Sequence, residues 1–501
     1  MKEHDTLSIS DISLDRDAFF IAGAWLPASA PTRTTEVLEA ATGKVLGSAA
    51  LADTADVGAA VSAAAEALRG PWGATSGVQR AEVMRAMATS LQARAKDTAA
   101  LVSRENGMPR RLSLGANGFF PSIALNYYAG LAEHIDDEDL RAGALSQVSV
   151  RREPVGVIAA VIPWNYPMSL AAMKIAPALA AGCSVVLKPP PETALDAFAW
   201  ADAAIEAGLP AGVLNVIPGG REAGAAMVAH PGVDKVAFTG STAAGRAIGE
   251  LCGRLLRPVT LELGGKSAAI IADDAELDAF VAALPDICLP NNGQTCHATT
   301  RILAPTSRYA EIVDAVTDTV RALHIGDPLE KTTQIGPLVS AAQRARVLGY
   351  IESGRANGAR LTTGGGLPAD QPLGWFVEPT VFADVDNAMT IAREEIFGPV
   401  LCVLPYADDD EAIAIANDSD YGLGGTVWTA DPERGAELAA RMRTGSVGIN
   451  HYALDVVGPF GGVKASGLGR ELGPEGLAPY VALKSVYRPP IADAAVSTPQ
   501  R

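Results

Sequence analysis

Cysteine is scarce in this chain of 501 residues and is never paired in sequence. Cys183, Cys252, Cys288, Cys296 and Cys402 stand far apart with no CxxC among them. That spacing excludes a disulfide framework and a thiolate metal site, so no metal is expected, and it suits a reducing cytoplasm. Positive charge is also short, with 40 Lys and Arg against 57 Asp and Glu for a net of −17. Such a balance lacks the clustered cations that nucleic acid or an anionic membrane surface requires. Long apolar runs are missing too: residues 155–187 are broken by Pro163, Asn165, Pro167, Lys174 and Pro177 and do not read as a membrane span. The opening Met1-Lys2-Glu3-His4-Asp5 is polar and mixed in charge, unlike a secretory signal.

What is present is a globular composition, 48% hydrophobic and 19% charged, at a length that holds two to four domains with large cores. The expectation is a soluble cytoplasmic protein. Residues 1–16 read as a loose arm, and 19–25 and 36–45 as short strands. An Ala-rich helix over 53–68 opens with Asp53 and Asp56 and ends at Arg69-Gly70, charges that suit its dipole. Helical patterns continue over 78–104 and 114–132. The acid run Asp136-Asp137-Glu138-Asp139 reads as a solvated face, and the strand-like 146–151 after it as part of a hairpin arm.

From Val155 the pattern changes. Short apolar segments at 155–162, 184–187, 213–217 and 235–238 alternate with helical stretches such as 169–181 and 196–207. This predicts an α/β fold with a parallel, doubly wound sheet, whose ligands sit beyond the carboxyl ends of the strands. Those ends carry Pro163-Trp164-Asn165-Tyr166-Pro167, Lys188-Pro189-Pro190-Pro191-Glu192, Pro218-Gly219-Gly220 and Thr239-Gly240-Ser241-Thr242. A second α/β region follows Gly264, with strands at 267–271, 300–304 and 400–405 and helices at 307–323 and 341–357. Residues 481–487 are again strand-like, and 489–501 read as a flexible tail.

Three residues carry chemistry. Cys296 follows Asn291-Asn292-Gly293-Gln294-Thr295, which makes a poor helix interior or core strand. The thiol is therefore expected on a bend, reachable from a cleft, as a thiolate nucleophile must be. The ordinary fate of a lone cysteine is that of a small buried hydrophobe. Glu262 lies in Leu261-Glu262-Leu263-Gly264-Gly265-Lys266, where burial would raise its pKa toward a useful general base. An exposed Glu on a strand edge is the plainer reading. Asn165 offers an uncharged N–H donor at a sheet end, suited to an oxyanion, although asparagine also favours turns. Gly240-Ser241 at a strand-to-helix turn suits a phosphate, or simply a helix N-cap.

Together these segments, over roughly residues 20–487, resemble the aldehyde dehydrogenase superfamily in its NAD(P)-dependent, hydrolytic form. The oxyanion segment is Pro163-Trp164-Asn165-Tyr166-Pro167, the adenosine-ribose segment Leu187-Lys188-Pro189, and the pyrophosphate segment Phe238-Thr239-Gly240-Ser241-Thr242. The general-base motif is Leu261-Glu262-Leu263-Gly264-Gly265-Lys266 and the nucleophile motif Asn292-Gly293-Gln294-Thr295-Cys296. Glu394-Glu395-Ile396-Phe397-Gly398-Pro399, Pro459-Phe460-Gly461-Gly462 and Ser466-Gly467-Leu468-Gly469-Arg470-Glu471 follow in the family's order. The resemblance implies a Cys296 thiohemiacetal and then a thioester, an oxyanion held by Asn165 and the Cys296 N–H, and hydrolytic water activated by Glu262. It implies that Lys174 and Glu471 move protons or tune the site. NAD, with NADP possible, would be bound by Ile162, Pro163, Trp164, Lys188, Gly220, Gly224, Phe238, Thr239, Gly240, Ser241, Leu263, Gly264, Glu395 and Phe397.

By the same resemblance Tyr166, Ser169, Leu170, Met173, Thr295, His297 and Tyr452 line the substrate tunnel. That wall is mostly apolar and has no arginine for a substrate carboxylate, so an apolar aliphatic, terpenoid or aromatic aldehyde is expected. His297, beside the nucleophile, is either a polar group of the tunnel or a histidine set back from it. Where many NAD-preferring relatives carry a glutamate three positions after the ribose lysine, this chain has Pro191, with Glu192 one later. The barrier to NADP is thus missing or displaced, and Arg221 lies within reach of a 2′-phosphate or simply at the surface. The family fold implies a Rossmann-like coenzyme domain (17–132 and 153–261), a catalytic domain (262–479) and a small β oligomerisation arm (133–152 and 480–488) that makes dimers or tetramers. The rival readings are an inactive structural or binding relative and a thiol esterase.

Overall fold

The computed structural model describes residues 14–30 and 33–489. The strand Val157–Val161 has no polar residue, and all five of its residues are buried. Ile158 and Ala160 face one apolar cluster while Val157, Ala159 and Val161 face another. A strand covered on both faces gains nothing from alternating polarity, hence the unbroken apolar run. Around it forms an eight-stranded sheet in the order Gly467–Leu468, Val259–Glu262, Lys235–Thr239, Val157–Val161, Ser184–Lys188, Leu214–Val216, Ala18–Ile21 and Ala24–Pro27. The five central strands run parallel; Ala18–Ile21 and Gly467–Leu468 join antiparallel at either side. The doubly wound sheet expected from the sequence is present, and its order reverses between Val157–Val161 and Lys235–Thr239, the crevice where such sheets take ligands.

A second, seven-stranded sheet runs Arg360–Thr363, Thr380–Ala383, Val400–Tyr406, Arg301–Pro305, Ala268–Ile271, Gly425–Trp428 and Gly448–Ile449, parallel except for its first strand. The sequence disclosed only three of these strands, because Arg360–Thr363 is half-exposed and Gly448–Ile449 is too short to show a period. The short Gly467–Leu468 segment leaves this half of the chain and pairs with Leu261 and Glu262, stitching the two sheets together.

Several local expectations change. Residues 19–25 form a hairpin rather than one strand. The helical stretch 114–132 begins with a wide π turn over Leu114–Phe119 before the α-helix Phe120–Ala132. Asp15–Arg16, expected in a flexible terminus, pair with Ser48 and Ala49; the rest of the expected loose arm, 1–13, and of the expected flexible tail, 490–501, lies outside the described residues. The acid run does lead into a hairpin, Asp139–Ala142 with Gln147–Pro154, extended by Val481–Arg488 into a three-stranded sheet that presents Leu140, Leu483 and Tyr487 to solvent.

The stitch depends on a glycine. Gly467 sits at φ +149°, and a Cβ there would run into the Leu261 carbonyl. Gly467→Ala is expected to cost about 2 kcal/mol or more and to lower the thermal midpoint by several degrees; an unchanged melting curve would show that the pairing contributes little.

Candidate active site

The loop that carries Cys296 is built from residues in a backbone conformation that most side chains disfavour. Asn291 and Asn292 have φ of 51° and 59°, the left-handed region that asparagine tolerates, and Gly293 follows at φ +76°. A Cβ on Gly293 would strike the Gly398 carbonyl, and one on Gly265 the Cys296 carbonyl, so the loop lies flush against both neighbours. The sequence suggested a bend reachable from a cleft; the residues of the bend itself, Asn291, Asn292, Gly293 and Gln294, are buried, because their amides replace backbone partners. Asn292 donates to the Gly107 and Pro337 carbonyls at 2.9 and 2.8 Å and accepts from the Gly336 N–H at 2.6 Å. Gln294 accepts from the Val339 N–H at 3.0 Å. Cys296 itself is half-buried, and the other four cysteines are buried.

Asn165 sits just beyond Val157–Val161. Asn106 donates to the Trp164 and Asn165 carbonyls, both at 3.0 Å, and Asn291 donates to the Asn165 carbonyl at 2.9 Å. The Asn165 side chain gives one N–H to the Gln294 carbonyl at 3.0 Å, which leaves its second N–H free. Asn106 and Asn291 were invisible as site residues from sequence; asparagine next to glycine or proline reads as turn chemistry, and only the tertiary contacts distinguish an anchor.

Glu262 closes the strand Val259–Glu262 and is 2% exposed, with neither carboxylate oxygen hydrogen-bonded. Burial, and secondarily Glu471, hold its pKa well above the ordinary carboxylate range. Its carboxylate turns toward Gly461, where a Cβ would come within 2.6 Å of Oε1. Nearby Lys174, fully buried on the helix Pro167–Ala181, donates to Glu471 Oε1 at 2.8 Å and Thr239 Oγ1 at 2.6 Å. Burial also raises the Cys296 thiol pKa, assisted by Glu395 and Glu262. In this state the thiol is protonated at neutral pH.

On the other side of the thiol lies the crevice of the eight-stranded sheet. Ser241 caps the helix Thr242–Arg254 by accepting the Ala244 N–H at 3.3 Å. Gly240 is tight against the Phe238 ring. Lys188 is buried and donates to the Pro189 and Gly219 carbonyls at 3.1 and 2.6 Å; burial lowers its pKa to about 8. Gly224 rests on the Lys188 stem, and Gly220 is the N-cap of the helix Arg221–Ala229, whose Arg221 is exposed. Glu395 accepts the Gly265 N–H at 2.9 Å, and a Cβ on Gly264 would meet its second oxygen at 2.6 Å. Burial lifts the Glu395 carboxylate to about 7. Phe397, at φ 63°, packs edge-on against Trp164 with centroids 5.3 Å apart. Ile162 and Leu263 are buried beneath these groups.

A third wall flanks Cys296. Tyr166 Oη lies 2.8 Å from Thr295 Oγ1, which in turn donates to the Pro290 carbonyl at 2.9 Å. Leu170 and Met173 are buried in the apolar cluster against which Tyr166, Cys296 and Leu454 pack. Ser169 donates to the Ala116 carbonyl, so its hydroxyl is already engaged. His297 Nδ1 lies 4.0 Å from Cys296 Sγ, and its ring stands 5.3 Å from Tyr452 and 5.9 Å from Phe460. Two roomier cavities lie elsewhere, about 460 Å³ beside the arm and about 380 Å³ near Arg94 and Asp196; the cleft around Cys296 is distinguished by its chemistry.

Comparison with known proteins gives a consistent result. A profile of the aldehyde dehydrogenase family matches residues 25–486. The chain is similar to geranial dehydrogenase of Castellaniella defragrans, 52% identical over 95% of this chain and 99% of that protein. It is also similar to betaine aldehyde dehydrogenase of Brucella ovis, 41% identical over 93% and 96% of the two chains. A Mycobacterium tuberculosis aldehyde dehydrogenase solved with NAD+ superposes at a TM-score of 0.93, with 49% identity over 95% of this chain and 99% of that one.

The electrostatics can be checked without turnover. Iodoacetamide alkylation of Cys296, followed by mass spectrometry, is expected to be slow at neutral pH and to accelerate through the alkaline range. In Glu262→Gln the profile should move to lower pH, since one carboxylate that disfavours the thiolate is gone. A profile that moves upward instead would contradict the charge arrangement.

Proposed function

The chain belongs to the aldehyde dehydrogenase family, and on that premise we propose that it oxidises apolar aliphatic, terpenoid or aromatic aldehydes to carboxylic acids with NAD. The observation that carries this reading is the convergence of a half-buried thiol, a buried carboxyl without a hydrogen-bond partner and a free amide N–H, from Cys296, Glu262 and Asn165, beside an apolar wall. Substrate class is supported by Leu170, Met173, Tyr166 and Tyr452 and by the absence of a cation among those positions.

Cys296 passes its proton to the Glu262 carboxylate, which releases it toward Lys174 and Glu471, and the thiolate bonds the aldehyde carbon; the oxyanion is held by the spare Asn165 N–H and the Cys296 backbone N–H. NAD supplies the acceptor for the hydride that leaves this carbon. A thioester on Cys296 remains. Glu262, whose raised pKa keeps it able to take a proton near neutral pH, draws one from water as the water attacks the thioester carbon, and the acid departs from the regenerated thiol. Lys174 and Glu471, joined at 2.8 Å next to Glu262, hold the charge balance as that proton moves on.

The crevice fits a dinucleotide. The free N–H groups at the start of Thr242–Arg254 suit the pyrophosphate, together with Ile162, Phe238, Thr239, Gly240 and Ser241. The Lys188 ammonium and the Gly220 and Gly224 backbone suit the adenosine ribose. The Glu395 oxygen not used by Gly265 suits the nicotinamide ribose, with Trp164, Leu263, Gly264 and Phe397 around the ring. Pro191 leaves no carboxylate at the position that would repel a 2′-phosphate, so NADP is tolerated beside NAD as the main cofactor. The eight-stranded unit with its helices is read as the coenzyme domain and the seven-stranded unit as the catalytic domain. The exposed Leu483 and Tyr487 on the outer strand of the three-stranded sheet suit pairing with a second copy.

The test is NADH and NADPH formation with alkanals, citral, benzaldehyde, betaine aldehyde and succinic semialdehyde. Apolar aldehydes should react and charged ones should not, and Cys296→Ala should abolish the reaction. Glu262→Gln should form the thioester in a burst and then turn over at least about 100-fold more slowly. Normal turnover in that variant, or higher kcat/KM with succinic semialdehyde, would overturn the assignment.

A further inference from the structure

The reaction as derived leaves His297 without a part, although it is the titratable side chain adjoining the thiol. Its ring is fixed. Tyr452 lies tilted beside it with an interplanar angle of 38°, and Phe460 meets it edge-on at 81°. Tyr452 is itself locked by a 2.6 Å hydrogen bond to Ser446 Oγ. Gly424 forms the floor, where a Cβ would come within 2.9 Å of Tyr452 Oη and 3.3 Å of His297 Cβ. The Gly424 backbone thus lies directly against both residues. Burial lowers the imidazole pKa to about 4, so at neutral pH the ring is an uncharged aromatic surface and offers no cation to a thiolate or a substrate carboxylate.

We propose that His297 is a specificity-determining residue that favours planar, conjugated aldehydes, with a C=C bond or an aryl ring next to the carbonyl, over saturated aldehydes of the same carbon count. The inference rests on the aldehyde-oxidising reading of this site given above. A carbonyl carbon bonded to Sγ brings its α and β carbons into van der Waals range of a ring whose Nδ1 is 4.0 Å from that sulfur. A conjugated α,β plane can lie against or edge-on to the His297 face, in the geometries that aromatic pairs prefer. It also arrives with its torsion already set, whereas a saturated chain loses rotamer freedom to fit the same slot. Tyr166, tied to Thr295, packs with Cys296 against the apolar cluster that holds Leu170 and Met173, which adds no charge beside the thiol.

The experiment measures kcat/KM for two matched pairs, crotonaldehyde with butyraldehyde and cinnamaldehyde with hydrocinnamaldehyde, in the unsubstituted enzyme, His297→Leu and His297→Phe. The ratio within a pair is independent of how much enzyme is active, so a merely structural defect leaves it unchanged. His297→Leu should lower the conjugated-to-saturated ratio about two- to tenfold, the range of an aromatic pair, and His297→Phe should retain it. His297→Val repeats the measurement should His297→Leu fail to fold. A ratio unchanged in the aliphatic variant, or lost equally in His297→Phe, overturns the inference while aldehyde oxidation stands. No turnover of any of the four by the unsubstituted enzyme, with NAD or NADP, sinks the underlying reading and this inference with it.

Discussion

The geometry of the site depends on a loop that would not hold its shape alone. Asn291, Asn292 and Gly293 are consecutive left-handed residues, and a run of them costs conformational energy that a local sequence does not recover. What offsets the cost is a set of side-chain amides from distant parts of the chain. Asn106 and Asn291 grip the Asn165 carbonyl, and Asn292 bridges Gly107, Gly336 and Pro337. The same network therefore fixes the thiol and the amide N–H that faces it. Each of these groups is buried, so the loss of one partner leaves a polar atom unpaired at a cost of about 1–3 kcal/mol.

Charge is managed by the same economy of partners. Lys174 is fully buried, and its ammonium donates to Glu471 and Thr239. Glu262 has no such partner. The contrast separates a buried carboxylate paired with a cation from a buried carboxyl left without a hydrogen-bond partner. The Cys296 thiol is raised as well, so burial favours the protonated form of both Glu262 and Cys296. The wall formed by Tyr166, Leu170, Met173, His297 and Tyr452 adds no fixed charge to this balance.

Much of the fold was legible in the sequence because periodicity reports burial. Val157–Val161 and Ser184–Lys188 are buried throughout and apolar but for Ser184 and Lys188 at the ends of the second, and such runs alternating with helices admit few topologies. Arg360–Thr363, Thr380–Ala383 and Gly448–Ile449 escaped notice, being short and placed by their sheet neighbours. The π turn at Leu114–Phe119 likewise has no signature in a helical pattern.

The candidate site residues Cys296 and Glu262 stand out in the sequence for a related reason. A thiol after Asn-Gly-Gln-Thr and a carboxylate before Gly-Gly break the local rules for strand and helix, and such breaks mark positions whose cost is met elsewhere. The sequence by itself determined the identity of these groups and the sheet that brings the Asn165 segment and the Gly240-Ser241 turn to one edge. Only the tertiary structure decided that Asn106, Asn291, Asn292 and Gln294 are buried anchors, that Lys188 folds back on two carbonyls, and that His297 is an uncharged ring between Tyr452 and Phe460. The physical reason is that a hydrogen-bond partner, a desolvated environment and a ring contact are properties of groups more than 100 residues apart in several of these pairs. No local pattern encodes them.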